Sequence, residues 1–87
     1  METIKVIIAD PVGLHARPAS MVVQEANKFT SEIFINFNGN KANLKSIMSV
    51  MAMGVKNGEE IEIQAEGEDA AEALASLKSV MATNDLI

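Results

Sequence analysis

The first residues of the chain alternate between apolar and polar positions. In the segment Thr3–Ala9 the apolar residues Ile4, Val6 and Ile8 recur with a period of two. This period is typical of a β-strand that buries one face. The segment Asp10-Pro11-Val12-Gly13 contains proline and glycine, which interrupt regular structure. We therefore predict a first strand that ends before a turn.

A helical periodicity begins at Ala16. Apolar residues then recur at spacings of three and four, as on the buried stripe of an amphipathic helix. These residues are Ala19, Val22, Val23, Ala26 and Phe29. Pro18 is compatible with a helix here because it falls in the first turn, where a backbone N–H has no helical partner. We predict a helix that runs from Ala16 toward Phe29.

The middle of the chain predicts a β-hairpin and then a short helix. Glu32–Phe37 carries β-branched and aromatic residues, and the Asn38-Gly39 pair that follows is a strong hairpin signal. Lys41–Leu44 is the expected returning strand. Ser46 precedes a short run with helical spacing that ends at Gly54, so we expect Ser46 to cap a second helix.

The last third of the chain predicts one more strand and one more helix. Glu60–Glu66 alternates apolar and polar residues, as in a half-exposed strand of an antiparallel sheet. Asp69 and Glu72 have the spacing of a capping box at the start of a final helix. The expected inward residues of that helix are Ala70, Ala73, Leu74, Leu77, Val80 and Met81. The predicted element order is therefore βαββαβα.

These elements predict a single α+β domain over residues 1–87. Each strand and helix has one apolar face, and two packed layers bury all of these faces. We expect the helices to cover one face of a four-stranded antiparallel sheet. The other face of the sheet is expected to contact solvent.

Composition narrows the classes of partner and the compartment. Twelve acidic residues against seven basic ones give a net charge of −5, and only three residues are aromatic, so we expect no direct binding to nucleic acid. Cysteine is absent, which excludes disulfides and fits a reducing compartment, so we expect a cytoplasmic protein. Because no apolar run approaches the ~20 residues of a membrane span, we expect no membrane insertion.

The only histidine, His15, stands where the predicted turn meets the predicted helix. Backbone N–H groups without helical partners and the positive end of the helix dipole face outward at such a point. Both favour a phosphoryl group attached to an imidazole nitrogen. Arg17 lies one residue further into the helix, where its planar guanidinium is suited to contact phosphoryl oxygens.

A simpler interpretation of the same residues is open from position alone. A lone histidine near a helix start is commonly a cap or a surface residue, and Arg17 would then be a solvated charge. No second titratable group is expected to form a dyad with His15. A single histidine also offers no metal-ligand spacing and no serine–histidine pair, so we expect no metal, no cofactor and no hydrolytic chemistry.

Two motifs of the chain resemble the signature regions of the HPr family of histidine-containing phosphocarriers. They are Gly13-Leu14-His15-Ala16-Arg17-Pro18-Ala19 and Leu44-Lys45-Ser46-Ile47-Met48-Ser49-Val50-Met51. The length and the element order of the whole chain also resemble this family. The resemblance implies an open-faced βαββαβα sandwich with three helices on one face of the sheet. It also implies a phosphoryl carrier that accepts the group from phosphorylated enzyme I, which phosphoenolpyruvate charges, and passes it to sugar-specific IIA proteins or domains. Such a carrier is a protein substrate rather than an enzyme.

The resemblance also implies roles for individual residues. His15 matches the residue that is phosphorylated at Nδ1, and Arg17 matches the arginine of the active centre. The backbone N–H groups of Ala16 and Arg17 are the expected phosphate donors. Val12 is a departure, since many family members have a hydroxyl residue three positions before the histidine. The implied docking surface for partner proteins comprises Ser20, Gln24, Ile47, Met48 and Met51.

Similarity to HPr of low-GC Gram-positive bacteria implies a second site at Ser46. There HPr kinase/phosphorylase uses ATP to add a regulatory phosphoryl group. By this analogy the modified protein is a poor acceptor from enzyme I and a corepressor of a catabolite-control transcription factor.

Other functions stay open at this point. One is a regulatory module that acts through phospho-Ser46 alone, and another is a small binding module without phosphoryl chemistry. A nitrogen-branch carrier is a narrower alternative, which the Lys45-Ser46-Ile47-Met48 segment disfavours because it resembles the carbohydrate branch. A monomer is expected because nothing in the sequence demands a symmetric partner, although exposed methionines would support a weak dimer.

Overall fold

The computed structural model describes residues 1–87 and contains one sheet and three helices. The strands are β1 Glu2–Ile7, β2 Glu32–Phe37, β3 Asn40–Asn43 and β4 Glu60–Glu66, and the helices are α1 Ala16–Ala26, α2 Ile47–Ala52 and α3 Ala70–Thr83. The element order is βαββαβα, as predicted. The four-stranded antiparallel open sheet with three helices confirms the predicted fold class.

The sheet has the strand order β1-β4-β2-β3, so the last strand of the sequence lies between the first and the second. Ile63 of β4 is opposite Ile4 of β1 and opposite Ile35 of β2. One backbone hydrogen bond continues this pairing beyond Ile7: the Ile8 N–H donates to the Glu59 carbonyl oxygen at 2.9 Å. The ladder itself ends two residues earlier than the predicted strand, which included Ala9.

One apolar core joins the helices to one face of the sheet. Its residues with 0–1% exposed surface come from strands, helices and the loops between them: Ile8, Ala19, Val22, Ala26, Ile33, Ile35, Leu44, Val50, Ile61, Ile63, Ala65, Ala73, Leu77 and Met81. Alternate residues of β4 are buried, which confirms the period of two in that segment. The helix α2 packs against α1 and β3.

Two element boundaries differ from the predicted ones. Helix α1 ends at Ala26, and Phe29 packs half-buried against the core from the loop that follows. The side chain of Asn27 donates to the Val23 carbonyl oxygen at 2.9 Å, which satisfies an acceptor in the last helical turn. Strand β3 is shifted toward the hairpin turn by one residue relative to the predicted Lys41–Leu44.

The predicted capping box at the start of α3 is wrong. Asp69 occupies the cap position, but its carboxylate makes no capping hydrogen bond. It instead accepts the backbone N–H groups of Thr30 and Ser31, each at 2.9 Å, and the Ser31 hydroxyl. The hydrogen bond from the Ser31 hydroxyl, followed by that from the Thr30 N–H, lowers the pKa of Asp69 to about 2. The carboxylate therefore ties the start of α3 to the loop before β2.

None of the helices has both the length and the apolar character needed to cross a membrane.

Candidate phosphoryl-acceptor site

His15 occupies the cap position at the start of α1, as the sequence predicts. Its backbone is extended, with φ −83° and ψ −173°, and its side chain makes no capping hydrogen bond. The side chain is 41% exposed. The imidazole is therefore available to a partner molecule, and it has no capping role that would explain its position.

A tight turn before α1 sets the position of His15. The carboxylate oxygen Oδ1 of Asp10 accepts the backbone N–H of Val12 at 2.9 Å and that of Gly13 at 3.2 Å. The Gly13 N–H also donates to the Asp10 carbonyl oxygen at 3.0 Å. An aspartate that accepts N–H groups two and three residues later forms such a turn from its own side chain.

Gly13 brings this turn into direct contact with the chain segment before β4. Its φ is +92°, and a Cβ atom at this position would lie 2.6 Å from Lys56 Cα and still closer to the Val55 carbonyl oxygen. The next N–H, that of Leu14, donates to the same Val55 oxygen at 2.9 Å. Only glycine allows the two backbones to approach this closely.

The turn also brings a carboxylate to the imidazole. Asp10 Oδ1 lies 3.4 Å from His15 Nε2, and the Asp10 side chain is 19% exposed. The prediction that no titratable group pairs with His15 is therefore wrong. Spacing alone gave no sign of this pair, because it depends on how far the turn folds back, although an aspartate before a Pro-Val-Gly segment is a usual turn-forming residue.

An open cleft surrounds the imidazole. It is lined by Asp10, His15, Arg17, Pro18, Met21, Asn84 and Leu86. The last two residues come from the chain after α3, and the Ala9 N–H holds that segment in place by donating to the Leu86 carbonyl oxygen at 2.8 Å. Sequence reasoning missed this wall of the cleft, because no local pattern relates the end of the chain to His15.

The first turn of α1 presents free hydrogen-bond donors beside the histidine. The N–H of Ala19 donates to the His15 carbonyl oxygen at 2.9 Å, and Pro18 has no N–H. The N–H groups of Ala16 and Arg17 have no acceptor within the protein. Donors of this kind at a helix start bind anions. No three side chains of histidine, cysteine, aspartate or glutamate converge in the arrangement that holds a metal ion.

The second predicted site lies at the start of α2. Ser46 caps this helix, and its hydroxyl oxygen accepts the Ser49 N–H at 3.3 Å. The preceding residue, Lys45, is tied to the end of α1, since its ammonium donates to the Phe29 carbonyl oxygen at 2.6 Å and its own carbonyl oxygen accepts the Asn27 amide at 3.2 Å. The cap role of Ser46 is thereby confirmed.

The predicted docking residues lie on two helices that pack against each other. On α2, Ile47, Met48 and Met51 are 37%, 80% and 44% exposed, whereas Val50 is fully buried. The short helix therefore exposes part of its apolar surface, as expected. On α1, Gln24 is exposed and Ser20 is half-buried.

Together, the fold and the site define a small α+β protein with an exposed histidine beside unpaired backbone N–H groups at a helix start. Comparison with known proteins places the chain more narrowly. The family model described as "PTS HPr component phosphorylation site" matches residues 2–83. The chain is also 53% identical over 87 residues to the phosphocarrier protein HPr of Mycoplasma capricolum subsp. capricolum, with 100% of this chain and 98% of the relative covered. The chain belongs to the HPr family, the phosphocarriers of the phosphotransferase system, which carry a phosphoryl group and are not enzymes.

Solved structures give the same result for the fold. The histidine-containing phosphocarrier protein of a Mycoplasma is 52% identical and has a TM-score of 0.96, with 99% of this chain and 98% of that chain covered. An HPr of Thermoanaerobacter tengcongensis, 39% identical with a TM-score of 0.77 and 97% of each chain covered, is described as a dimer. At least one relative of the chain is therefore a dimer and not a monomer.

Proposed function

We propose that His15 accepts a phosphoryl group on Nδ1 from phosphorylated enzyme I and passes it to sugar-specific IIA proteins. The observation that carries this proposal is the exposed imidazole beside the unpaired N–H groups of Ala16 and Arg17. Unpaired N–H groups of this kind can donate hydrogen bonds to phosphoryl oxygens. The chain would act in the cytoplasm as one domain and as a monomer.

Arg17 is the second residue of the proposed acceptor site. It is exposed and lines the cleft that contains His15. A guanidinium at the edge of the cleft can neutralise the phosphoryl oxygens while the group passes between donor and acceptor. Arg17→Lys keeps the charge but loses the planar fork, so it is the matched control for Arg17→Ala.

Val12 removes a side-chain hydroxyl that many family members offer, but the backbone of the turn is intact. The Val12 side chain is 66% exposed, and its N–H donates to Asp10. We expect the backbone donors at the start of α1 to hold the phosphoryl group, so the carrier role should persist without that hydroxyl.

Partner proteins are proposed to dock on a surface of mixed polar and apolar residues on α1 and α2, two helices that pack against each other. It comprises Ser20, Gln24, Ile47, Met48 and Met51. Methionine side chains adapt to differently shaped surfaces, which suits a carrier that meets enzyme I and several acceptors in turn.

Ser46 is proposed to be the target of HPr kinase/phosphorylase. A phosphoserine brings about −1.5 to −2 charges, which the start of a helix accommodates, so the fold should persist while the surface potential changes. Repulsion of an incoming phosphodonor would then slow transfer to His15, and the modified surface would be read by a catabolite-control transcription factor. Equal transfer rates for Ser46→Asp and the wild type would contradict this regulation.

The transfer proposal is tested by a two-step reaction with purified components. The chain is first charged with phosphoenolpyruvate and enzyme I, and then mixed with a purified IIA protein while label is followed on both proteins. In the wild type we expect the phosphoryl label to move to IIA as soon as the two proteins are mixed. Arg17→Ala should slow both charging and transfer about tenfold or more, and Arg17→Lys should slow them less. Charged protein that does not pass label to any IIA would exclude the carrier function.

A further inference from the structure

The carboxylate of Asp10 has a place in the site that the transfer proposal does not use. Its Oδ1 accepts two backbone N–H groups of the turn and lies 3.4 Å from His15 Nε2. Two hydrogen bonds from the backbone thus fix the oxygen that faces the imidazole. Asp10 and Arg17 are the acidic and basic residues that line the cleft beside His15. The segment after α3 contributes only the uncharged Asn84 and Leu86.

A fixed carboxylate 3.4 Å from one imidazole nitrogen biases which nitrogen of the ring carries the proton. A carboxylate accepts hydrogen bonds and cannot donate them, so the nitrogen that faces it favours the N–H form. With the proton on Nε2, the lone pair is on Nδ1. The neighbouring carboxylate thereby selects the nitrogen that is free to attack phosphorus.

We propose that Asp10 is a positioning residue that holds His15 in the Nε2–H tautomer and stabilises the ring while it carries the phosphoryl group. This inference rests on the proposed function, because it concerns the same transfer to Nδ1. Asp10 is also the one residue with a carboxylate or hydroxyl side chain among those that line the cleft.

The transfer step explains why the charge of Asp10 matters. The Nδ1 lone pair forms the new nitrogen–phosphorus bond, and the bond from phosphorus to the donor breaks with its electron pair left on the donor. The proton stays on Nε2 throughout, so the ring gains positive charge as the bond forms. Asp10 offsets that charge from the opposite side of the ring, as the aspartate of a Ser-His-Asp triad does for its histidine. Transfer to an acceptor reverses each of these changes.

The test compares two Asp10 variants with a charge-matched control. Asp10→Asn retains an oxygen that can accept the N–H groups of the turn but removes the charge, and Asp10→Ala removes both. Asp85→Asn makes the same change of net charge at an exposed residue that does not line the cleft. Thermal unfolding of each variant shows whether the fold is retained.

The primary readout is the tautomer of His15, measured by long-range ¹H–¹⁵N NMR at a pH above which the imidazole signals no longer change. We expect the Nε2–H form to dominate in the wild type and in Asp85→Asn, and the Nδ1–H form to grow most in Asp10→Ala. The growth should be smaller in Asp10→Asn, because its amide oxygen lacks the charge but can still accept from Nε2–H. The second readout is the rate of acceptance from phosphorylated enzyme I. We expect a fall of about twofold to fivefold in the Asp10 variants, the range expected for a partly exposed charge pair, and no fall in Asp85→Asn.

Several outcomes would overturn the inference. An unchanged tautomer ratio in both Asp10 variants would do so whatever the transfer rate, and so would an equal fall in rate in Asp85→Asn, which would assign the effect to net charge during docking. The NMR measurement needs no enzyme I. A wild type with the expected tautomer that accepts no phosphoryl group would therefore count against the proposed function and not against the positioning by Asp10.

Discussion

Replacing Gly13 by alanine tests whether the His15 turn is packed against the segment before β4 as described. The added Cβ would lie 2.6 Å from Lys56 Cα, so the two backbones must separate. Gly58 is the matched control. Its φ of +85° is close to the +92° of Gly13, but a Cβ there would meet nothing within 4 Å.

Both substitutions place alanine at a positive φ, but only Gly13→Ala also pushes two backbone segments apart. Alanine in this region of φ costs about 1 kcal/mol, which applies to both positions. At Gly13 the separation of the backbones also breaks the hydrogen bond from the Leu14 N–H to the Val55 carbonyl oxygen, worth about 1 kcal/mol. The separation also exposes part of the Leu14 side chain, which is only 5% exposed in the native protein. This exposure costs about 1 kcal/mol more. We expect Gly13→Ala to lower the free energy of unfolding by about 3 kcal/mol, against about 1 kcal/mol for Gly58→Ala.

Urea unfolding measures this difference. With a slope of about 1 kcal/mol per molar urea for a protein of this size, the midpoints should fall by about 3 M and about 1 M. Phosphoryl acceptance should be lost or strongly slowed in Gly13→Ala, because His15 follows the displaced turn, and retained in Gly58→Ala. Equal midpoints for the two variants would refute the close packing of the turn.

Three further predictions concern stability and docking. Ser46→Ala should lower the free energy of unfolding by about 1 kcal/mol in urea titrations, because it removes the cap of α2. The pKa of Asp69 is lowered from 3.8 to about 2, so its contribution to stability is full above about pH 4 and is lost as the pH falls toward 2. The urea midpoint should therefore fall more steeply over this range in the wild type than in Asp69→Asn. Val50→Ala should lower the free energy of unfolding by about 2 kcal/mol, because the side chain is fully buried. Met48 is 80% exposed, so Met48→Ala should leave stability unchanged and instead raise the KM of enzyme I for the chain. A Met48→Ala variant with unaltered KM would remove that residue from the docking surface.

Local sequence patterns predict most of the fold because they reflect local physical rules. The alternation of Glu60–Glu66 follows from the pleat of a strand with one buried face. Asn38 and Gly39 have φ values of 53° and 82°, the positive angles that a two-residue hairpin turn requires and that these residue types tolerate. Ser46 caps α2 for the same kind of reason, since its short hydroxyl side chain reaches an N–H in the first turn.

Local sequence patterns do not predict a contact when a side chain can form hydrogen bonds with either a neighbour in sequence or a residue far along the chain. Asp69 has the spacing of a helix cap, but its carboxylate binds the N–H groups of Thr30 and Ser31, which only the folded chain brings near. The same reason applies to the site. His15 and its helix are visible in the sequence, whereas the contact with Asp10 and the wall formed by Leu86 depend on how the turn and the end of the chain fold back.

The most direct test of the central claim is the intact mass of the chain after incubation with phosphoenolpyruvate and enzyme I, for the wild type and for His15→Ala, in acid and in alkali. We predict one phosphoryl group on the wild type that is lost in acid, survives in alkali and is absent from the variant. A wild type that gains no phosphoryl group from an active enzyme I, or a group that persists in His15→Ala, would contradict the assignment of His15 as the carrier residue.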